Sequence, residues 1–256
     1  MAHQIIVLVI VFWAALVAGL INAVAGGGTL VSFPVLVALG IPPVAANVTN
    51  TMALCPGYFG GMFAQRKDFA GQKKRLYAML PVSILGGIAG GLLLINAEER
   101  SFNILVPYLI LMASLLLAVQ VPLKKWLHSR DGKRYAAKVW TVGAYILLFL
   151  ASVYGGYFGA GVSVIVIAML GLIYNDSLTR LNVLKQAVSL SINITAAIYF
   201  AFSGKVEWLI VLVMIFGSVT GGLAGGRLAG AINPGILRWM VVIIGITVSI
   251  TYFIRQ

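Results

Sequence analysis

Carboxylates are nearly missing from this chain. Of 256 residues only six are Asp or Glu, and Asp68, Glu98, Glu99, Asp131, Asp176 and Glu207 all fall in hydrophilic stretches or at helix ends, never inside an apolar run. A cation pathway or a carboxylate proton relay needs Asp or Glu at membrane depth, so the parts for either are absent. Histidine is as scarce. His3 and His128 both lie outside the apolar runs, which leaves no His-bound metal and no paired acids for acid–base catalysis. Ser189 stands four residues from Lys185 on one helix, poor geometry for a serine nucleophile. The single cysteine, Cys55, cannot close an intramolecular disulfide and has no metal-ligating neighbours. The expectation is a protein that is not an enzyme and carries neither cofactor nor metal. Charge of either sign is rare too, at 9% of residues, against about 25% in an ordinary soluble domain.

What is present is apolar. Hydrophobic residues make up 61% of the chain and the mean hydropathy is +1.03, which reads as an all-α polytopic membrane protein. With spans of roughly 20 residues and short loops, about eight crossings fit and no separate soluble domain does. The net charge of +12 is concentrated in two basic segments, 66–75 and 124–138. That clustering speaks of orientation rather than nucleic acid binding, and the positive-inside rule puts both segments in the cytoplasm.

No charged residue occurs from Gln4 to Gln65, a length that would reach ~93 Å as one helix, about three bilayer cores. It must break. Gly26-Gly27-Gly28 and Pro42-Pro43 are the natural interruptions, leaving spans near Ile5 to Ile21 and Ala45 to Gln65 with a short element near Thr29 to Leu39 between them. Too short to cross, that element suggests a broken or re-entrant helix, with glycine-mediated close packing as the alternative. Ala23-Val24-Ala25 imitates a signal-peptide cleavage site, but no Lys or Arg precedes the apolar run and membrane sequence continues beyond it, so the segment is expected to be retained. Further spans are expected near Leu76 to Ile95, Ile104 to Leu123, Trp208 to Ala231 and Ile236 to Ile254. The run from Val139 to Tyr174 is interrupted at Gly155-Gly156 and at Gly159-Ala160-Gly161.

The two halves look alike. Gly86-Gly87-Ile88-Ala89-Gly90-Gly91 matches Gly221-Gly222-Leu223-Ala224-Gly225-Gly226 at an offset of about 135, as Asn47-Val48 matches Asn182-Val183. The plan expected is a transmembrane repeat over 1–123, a basic connector over 124–138 and a second repeat over 139–256. Each repeat would hold about four transmembrane helices and a glycine-broken element near its start.

The stretch from Leu178 to Phe202 is an apolar helix with a polar stripe, because Asn182, Lys185, Gln186, Ser189 and Asn193 recur every three or four residues. A lysine at mid-helix in hydrocarbon costs something like 2.5 to 3.5 kcal/mol, so Lys185 needs a partner, a cavity or a job. Snorkelling toward an interface and plain interhelical hydrogen bonding are the alternatives to an anion site. Asn47, Thr49 and Asn50 are the first half's counterpart of the stripe. Helix N-termini after glycine turns offer N–H groups and partial positive charge, so Gly26, Gly27, Gly28 and Thr29, with Gly159 and Gly161, complete a candidate set for a small anionic substrate.

The strings Ala18-Gly19-Leu20-Ile21-Asn22-Ala23-Val24-Ala25-Gly26-Gly27-Gly28 with Pro34, Ala46-Asn47-Val48-Thr49-Asn50, Tyr157-Phe158-Gly159-Ala160-Gly161 and Phe202-Ser203-Gly204-Lys205-Val206 together resemble the sulfite exporter TauE/SafE family. The resemblance covers nearly the whole chain. It implies a prokaryotic inner-membrane permease for sulfite, sulfonates or related anions, and adds Asn22 to the candidate site. A non-transporting membrane assembly subunit is the competing expectation. Partners expected are the bilayer and a small anion, with homo-oligomerisation open.

Overall fold

The computed structural model describes residues 2–129, 137–174, 176–228 and 233–255. Among them are ten α-helices and one 3-10 turn, with no strand. The helices are α1 (Ala2–Val24), α2 (Thr29–Ala38), α3 (Pro43–Ala64), α4 (Lys73–Ile95), α5 (Glu99–Ser129), α6 (Ala137–Tyr157), α7 (Val162–Ile173), α8 (Leu178–Ala201), α9 (Trp208–Leu228) and α10 (Pro234–Arg255), and the 3-10 turn is Arg66–Phe69. Residues 130–136 of the basic connector and 229–232, where the expected Trp208 to Ala231 span ends, lie outside the described residues.

Local chemistry sets these boundaries. Gly26 and Gly27 after α1, and Gly159 and Gly161 after α6, take positive φ between 75 and 89°, conformations that end a helix and that side chains with a Cβ rarely adopt. Pro43 opens α3 at a position where its missing N–H costs nothing. Ser177 caps α8 by accepting from the Arg180 amide at 3.4 Å. One expectation needs correcting: Gly155 and Gly156 do not interrupt the chain but remain inside α6. The smallness of Gly156 serves packing, since a Cβ there would sit 3.0 Å from the Gly91 amide and 3.1 Å from the Gly87 Cα.

Among the described residues six helices are long and apolar enough to cross a membrane: Ala2–Val24, Lys73–Ile95, Glu99–Val119, Thr179–Ala201, Trp208–Leu228 and Gly235–Ile254. Helix α3 is just as long, at 22 residues, but buries Asn47, Thr49, Asn50 and Thr51. Large apolar side chains such as Trp13, Leu85, Phe216 and Ile243 line the outside, on α1, α4, α9 and α10. That surface suits lipid contact.

Hydrogen bonds at the two ends fix the directions of the helices. At one end the Val44 amide donates to Glu99 Oε2 (3.1 Å), Lys205 Nζ to the Ile95 carbonyl (3.3 Å) and the Glu207 amide to Thr49 Oγ1 (3.1 Å). At the other, Gln72 Nε2 donates to the Arg180 carbonyl (2.7 Å), Gln65 Nε2 to the Gly226 carbonyl (3.4 Å), and Arg75 pairs with Asp176. Helices α3 and α4 therefore run from end to end, as do α8 and α9; α5 starts at the Glu99 end, and α10 finishes there, its Ser249 Oγ donating to the Pro107 carbonyl (2.8 Å) and its Tyr252 lying beside Asn103.

The remaining four form two hairpins. Gly217, Gly221 and Gly225 of α9 pack in order on Phe12, Leu16 and Leu20 of α1, so α1 runs parallel to α9, toward the Arg75 end. Helix α2 then comes back, since its Val37 and Ala38 share a groove with Asn103, Thr251 and Tyr252 at the Glu99 end. The hairpin α6–α7 is oriented the other way. Gly86 and Gly90 of α4 pack on Phe149 and Val153, making α6 parallel to α4 and aimed at the Glu99 end. Helix α7 returns to the Arg75 end, where the Arg75 guanidinium lies 4.4 Å over the Tyr174 ring.

Glycine stripes make these contacts possible. The other edge of α4 presents Gly87 and Gly91 to Ile192 and Ala196 of α8, and the other edge of α9 presents Gly222 and Gly226 to Gly57 and Gly61 of α3. Backbone thus meets backbone in two interlocked trios, α1–α9–α3 and α6–α4–α8, which join where α3 packs against α8.

Candidate functional site

The hairpin bends meet at the centre of the bundle. A Cβ on Gly26 would lie 2.8 Å from Ser163 Cβ, at the first turn of α7. Ser163 Oγ is 3.4 Å from Ser189 Oγ of α8, with the Tyr58 side chain of α3 alongside. Gly27 packs against Leu117, Gly161 lies 3.3 Å from Ala113 by its would-be Cβ, and the Cβ position of Gly159 is 4.0 Å from Asn193 Oδ1. The bends thus pack against each other and against α5 and α8 at these points.

The carboxy-terminal end of α1 is held from α8. Asn182 Nδ2 donates to the Ala23 carbonyl and to Gln65 Oε1, both at 3.0 Å, and Lys185 Nζ donates to the Asn22 carbonyl at 3.2 Å. An ammonium suits a helix C-terminus, where unpaired carbonyls gather about half a negative charge. Asn22 uses its own side chain differently. Its Oδ1 accepts from the Gly28 amide at 2.7 Å, so this N–H of the expected anion cradle is already engaged inside the protein. Lys185 is 1% exposed and does not snorkel. Among the described residues no α-helix carries a carboxylate in its interior, Glu99 standing at the first position of α5 with Oε2 on the Val44 amide.

The end of α6 is held from α3. Asn47 Nδ2 donates to the Tyr157 carbonyl at 2.8 Å. One turn further, Asn50 is fully buried and neither its Oδ1 nor its Nδ2 has a hydrogen-bond partner; the same is true of Gln186 Oε1 and Nε2 and of Asn47 Oδ1. Each such atom costs about 1–3 kcal/mol when unsatisfied, so the Asn47–Asn50 pair and, separately, Gln186 mark two places suited to water or a polar ligand. Gln186 faces α3, its Cδ 3.0 Å from the Cβ position of Gly61.

All fifteen residues expected from the sequence are buried, but they form separate groups. Gly26, Gly159, Ser189 and Asn193 belong to the central bends, with Gly27, Gly28, Gly161 and Thr29 flanking them. Asn22, Asn182 and Lys185 belong to the α1 end, and Asn47 to the α6 end with Asn50 beside it. Thr49 stands apart, its hydroxyl accepting from Glu207. The stripe on α8 therefore faces three different partners rather than one surface. Gln65 and Tyr58 were not expected. Gln65 carries a weak signal, as the last residue before the first charge, whereas Tyr58 has none in an aromatic-rich membrane sequence.

At the rim, Asp176 accepts from Arg75 and from Arg180 Nε (3.1 Å). The Arg75 hydrogen bond, with smaller help from Arg180 and the Ser177 amide, pushes the Asp176 carboxyl down to about 2.

Residues 11–252 match the family described as Sulfite exporter TauE/SafE. The chain belongs to the TauE/SafE family. Curated TauE/SafE-like relatives include the "Probable membrane transporter protein YfcA" of Escherichia coli strain K12, 24% identical over 94% of this chain and 87% of that protein. A "Probable membrane transporter protein" of Haemophilus influenzae is 25% identical over 92% and 90%, and "Probable membrane transporter protein ORF9" of Sinorhizobium sp is 28% identical over 95% and 91%. No solved structure matches this chain. As a TauE/SafE protein it is a multi-pass member of a membrane transporter family.

Proposed function

We propose that this chain is a permease for a small anion, sulfite or an organic sulfonate, bound midway through a prokaryotic inner membrane where the two hairpin bends meet. The observation that carries the reading is Lys185, an ammonium 1% exposed at the heart of a bundle whose helix interiors hold no carboxylate. Other faces of the same helix carry the unpartnered amide of Gln186 and the Ser189 hydroxyl that meets Ser163 at the bends. Together they offer positive charge and hydrogen-bond donors and no buried acid, which suits an anion and repels a cation. Access alternates between the two ends.

Two repeats underlie the mechanism, 1–123 and 139–256, related as inverted copies. Support comes from matching partners: α1 on α9 and α3 on α9 in one set correspond to α6 on α4 and α8 on α4 in the other, and α5 packs on α10. The glycines in register, Gly86, Gly87, Gly90 and Gly91 against Gly221, Gly222, Gly225 and Gly226, make corresponding contacts. Each half contributes three through-going helices and one returning hairpin, an odd number of crossings, so its copy is upside down. The end holding Arg66, Lys67, Lys73, Lys74 and Arg75 is cytoplasmic.

Export of a monovalent anion needs no coupling ion. With the cytoplasm negative, moving one negative charge outward releases ~2.3 kcal/mol per 100 mV, a gradient of roughly 50-fold. Flux of radiolabelled sulfite and sulfonates into or out of proteoliposomes at imposed potential tests the proposal. Flux no greater than in empty liposomes for every anion tried would refute it.

A further inference from the structure

The polar residues of α3 and α8 do not all face the same place, and their division carries a meaning. We infer that Asn182 and Asn47 are gate latches at opposite ends of the molecule, each fastening the carboxy-terminal end of the opposite hairpin's long arm. The inference rests on the permease reading but is separable from it.

The geometry is matched. Asn182 lies in the second turn of α8 and gives its Nδ2 to the Ala23 carbonyl at the end of α1. Asn47 lies in the second turn of α3 and gives its Nδ2 to the Tyr157 carbonyl at the end of α6. Helix α8 begins at the Arg75 end and α3 at the Glu99 end, so the two bonds sit on opposite sides of the Gly26–Ser163 contact. Each ties an arm tip to a through-going helix from the other half of the sequence. Each bond crosses the boundary between the two glycine-seamed trios, so releasing it lets the trios part on that side while the other latch holds.

The latches are unequal. At the Arg75 end Asn182 also holds Gln65 Oε1, Gln65 Nε2 reaches the Gly226 carbonyl, and Lys185 adds a charge-assisted bond to the Asn22 carbonyl. At the Glu99 end the Asn47 side chain has a single bond, its Oδ1 is unpaired, and the side chain of Asn50, at the position matching Lys185, makes no hydrogen bond. Charge-assisted bonds are about twice as strong as neutral ones, so the Arg75 end is the tighter of the two. Asn47 and Asn182 thus act as positioning residues of the hairpins, and the substrate contacts are left to Lys185, Gln186 and the serines.

Thiol accessibility tests this without any substrate. In a Cys55→Ala background, Ser189→Cys serves as a central reporter, labelled by a charged, membrane-impermeant thiol reagent in right-side-out and inverted vesicles. The unlatched variants are Asn182→Leu and Asn47→Leu, near in size and lacking the donor. Labelling of the reporter is expected to rise at least about tenfold from one face in Asn182→Leu and from the opposite face in Asn47→Leu. Basal labelling should be faster from the Glu99 face. Opening from the same face in both variants, or no rise in either, would overturn the inference. Should either protein fail to fold, by elution from a sizing column in detergent, Gln65→Ala and Asn47→Ala replace them with the same expected sidedness. Absence of anion flux in the unsubstituted protein, with opposite-sided labelling of the reporter variants intact, would count against the substrate assignment and leave the latches standing.

Discussion

Replacing Lys185 with Met separates a transport role from a structural one, because the two predict opposite costs. The substitution preserves length and removes the charge. Relief of the insertion penalty is worth ~2.5–3.5 kcal/mol, and loss of the bond to the Asn22 carbonyl costs ~1.5–3 kcal/mol. The difference runs from about 0.5 kcal/mol destabilising to about 2 kcal/mol stabilising. The melting temperature in detergent should therefore match or exceed the parent's. Flux of sulfite in proteoliposomes at imposed potential should fall at least about tenfold, equivalent to ~1.4 kcal/mol of lost anion stabilisation. Lys185→Arg, which keeps the charge, should retain more flux than Lys185→Met. Flux in Lys185→Met equal to the parent's would refute the substrate role of the lysine. A large fall in melting temperature would show instead that the ammonium exists to hold α1.

Other substitutions probe the frame around it. Gly90→Ala puts a Cβ 2.8 Å from the Tyr157 amide and 2.9 Å from the Gly156 carbonyl carbon, and should cost ~1–3 kcal/mol in detergent melts; Gly143→Ala, with nothing within 4 Å, should be neutral or slightly stabilising. Glu99→Ala removes the acceptor that caps the first turn of α3 through the Val44 amide and should lower stability by about 1 kcal/mol, with Glu99→Gln largely restoring it. The Asp176 carboxyl, depressed to about 2 from an ordinary value near 3.8, contributes stability that is complete above pH 4 and lost as pH falls toward 2. The parent should therefore lose thermal stability relative to Asp176→Asn across that window, and parallel pH curves for the two would contradict the pairing.

Segmentation was legible because glycine and proline act locally. The breaks at Gly26-Gly27-Gly28 and Pro42-Pro43 lie within a few residues of the ends of α1, α2 and α3, and Gly159 and Gly161 mark the α6–α7 bend. Gly155 and Gly156 read like another break because composition cannot tell a glycine that bends the chain from one that admits a neighbouring backbone. Their contacts come from α7, α8 and α4. The stripe on α8 was legible by period, but its partners were not: Ala23 and Asn22 offer main-chain carbonyls, which no side-chain pattern encodes. Gln65 escaped notice for the same reason, its role depending on Gly226, 161 residues away.

The glycine seams limit how such a molecule can move. Dispersion between backbones in direct contact falls away over a fraction of an ångström, so a seam is either shut or lost, with little in between. Glycine also surrenders no rotamers on packing, which makes the shut form inexpensive to keep. Helices α1, α9 and α3 on one side, and α6, α4 and α8 on the other, should consequently travel as solid wedges that shear along the α3–α8 boundary, and spectroscopic distances measured within a wedge should stay constant while those across it change.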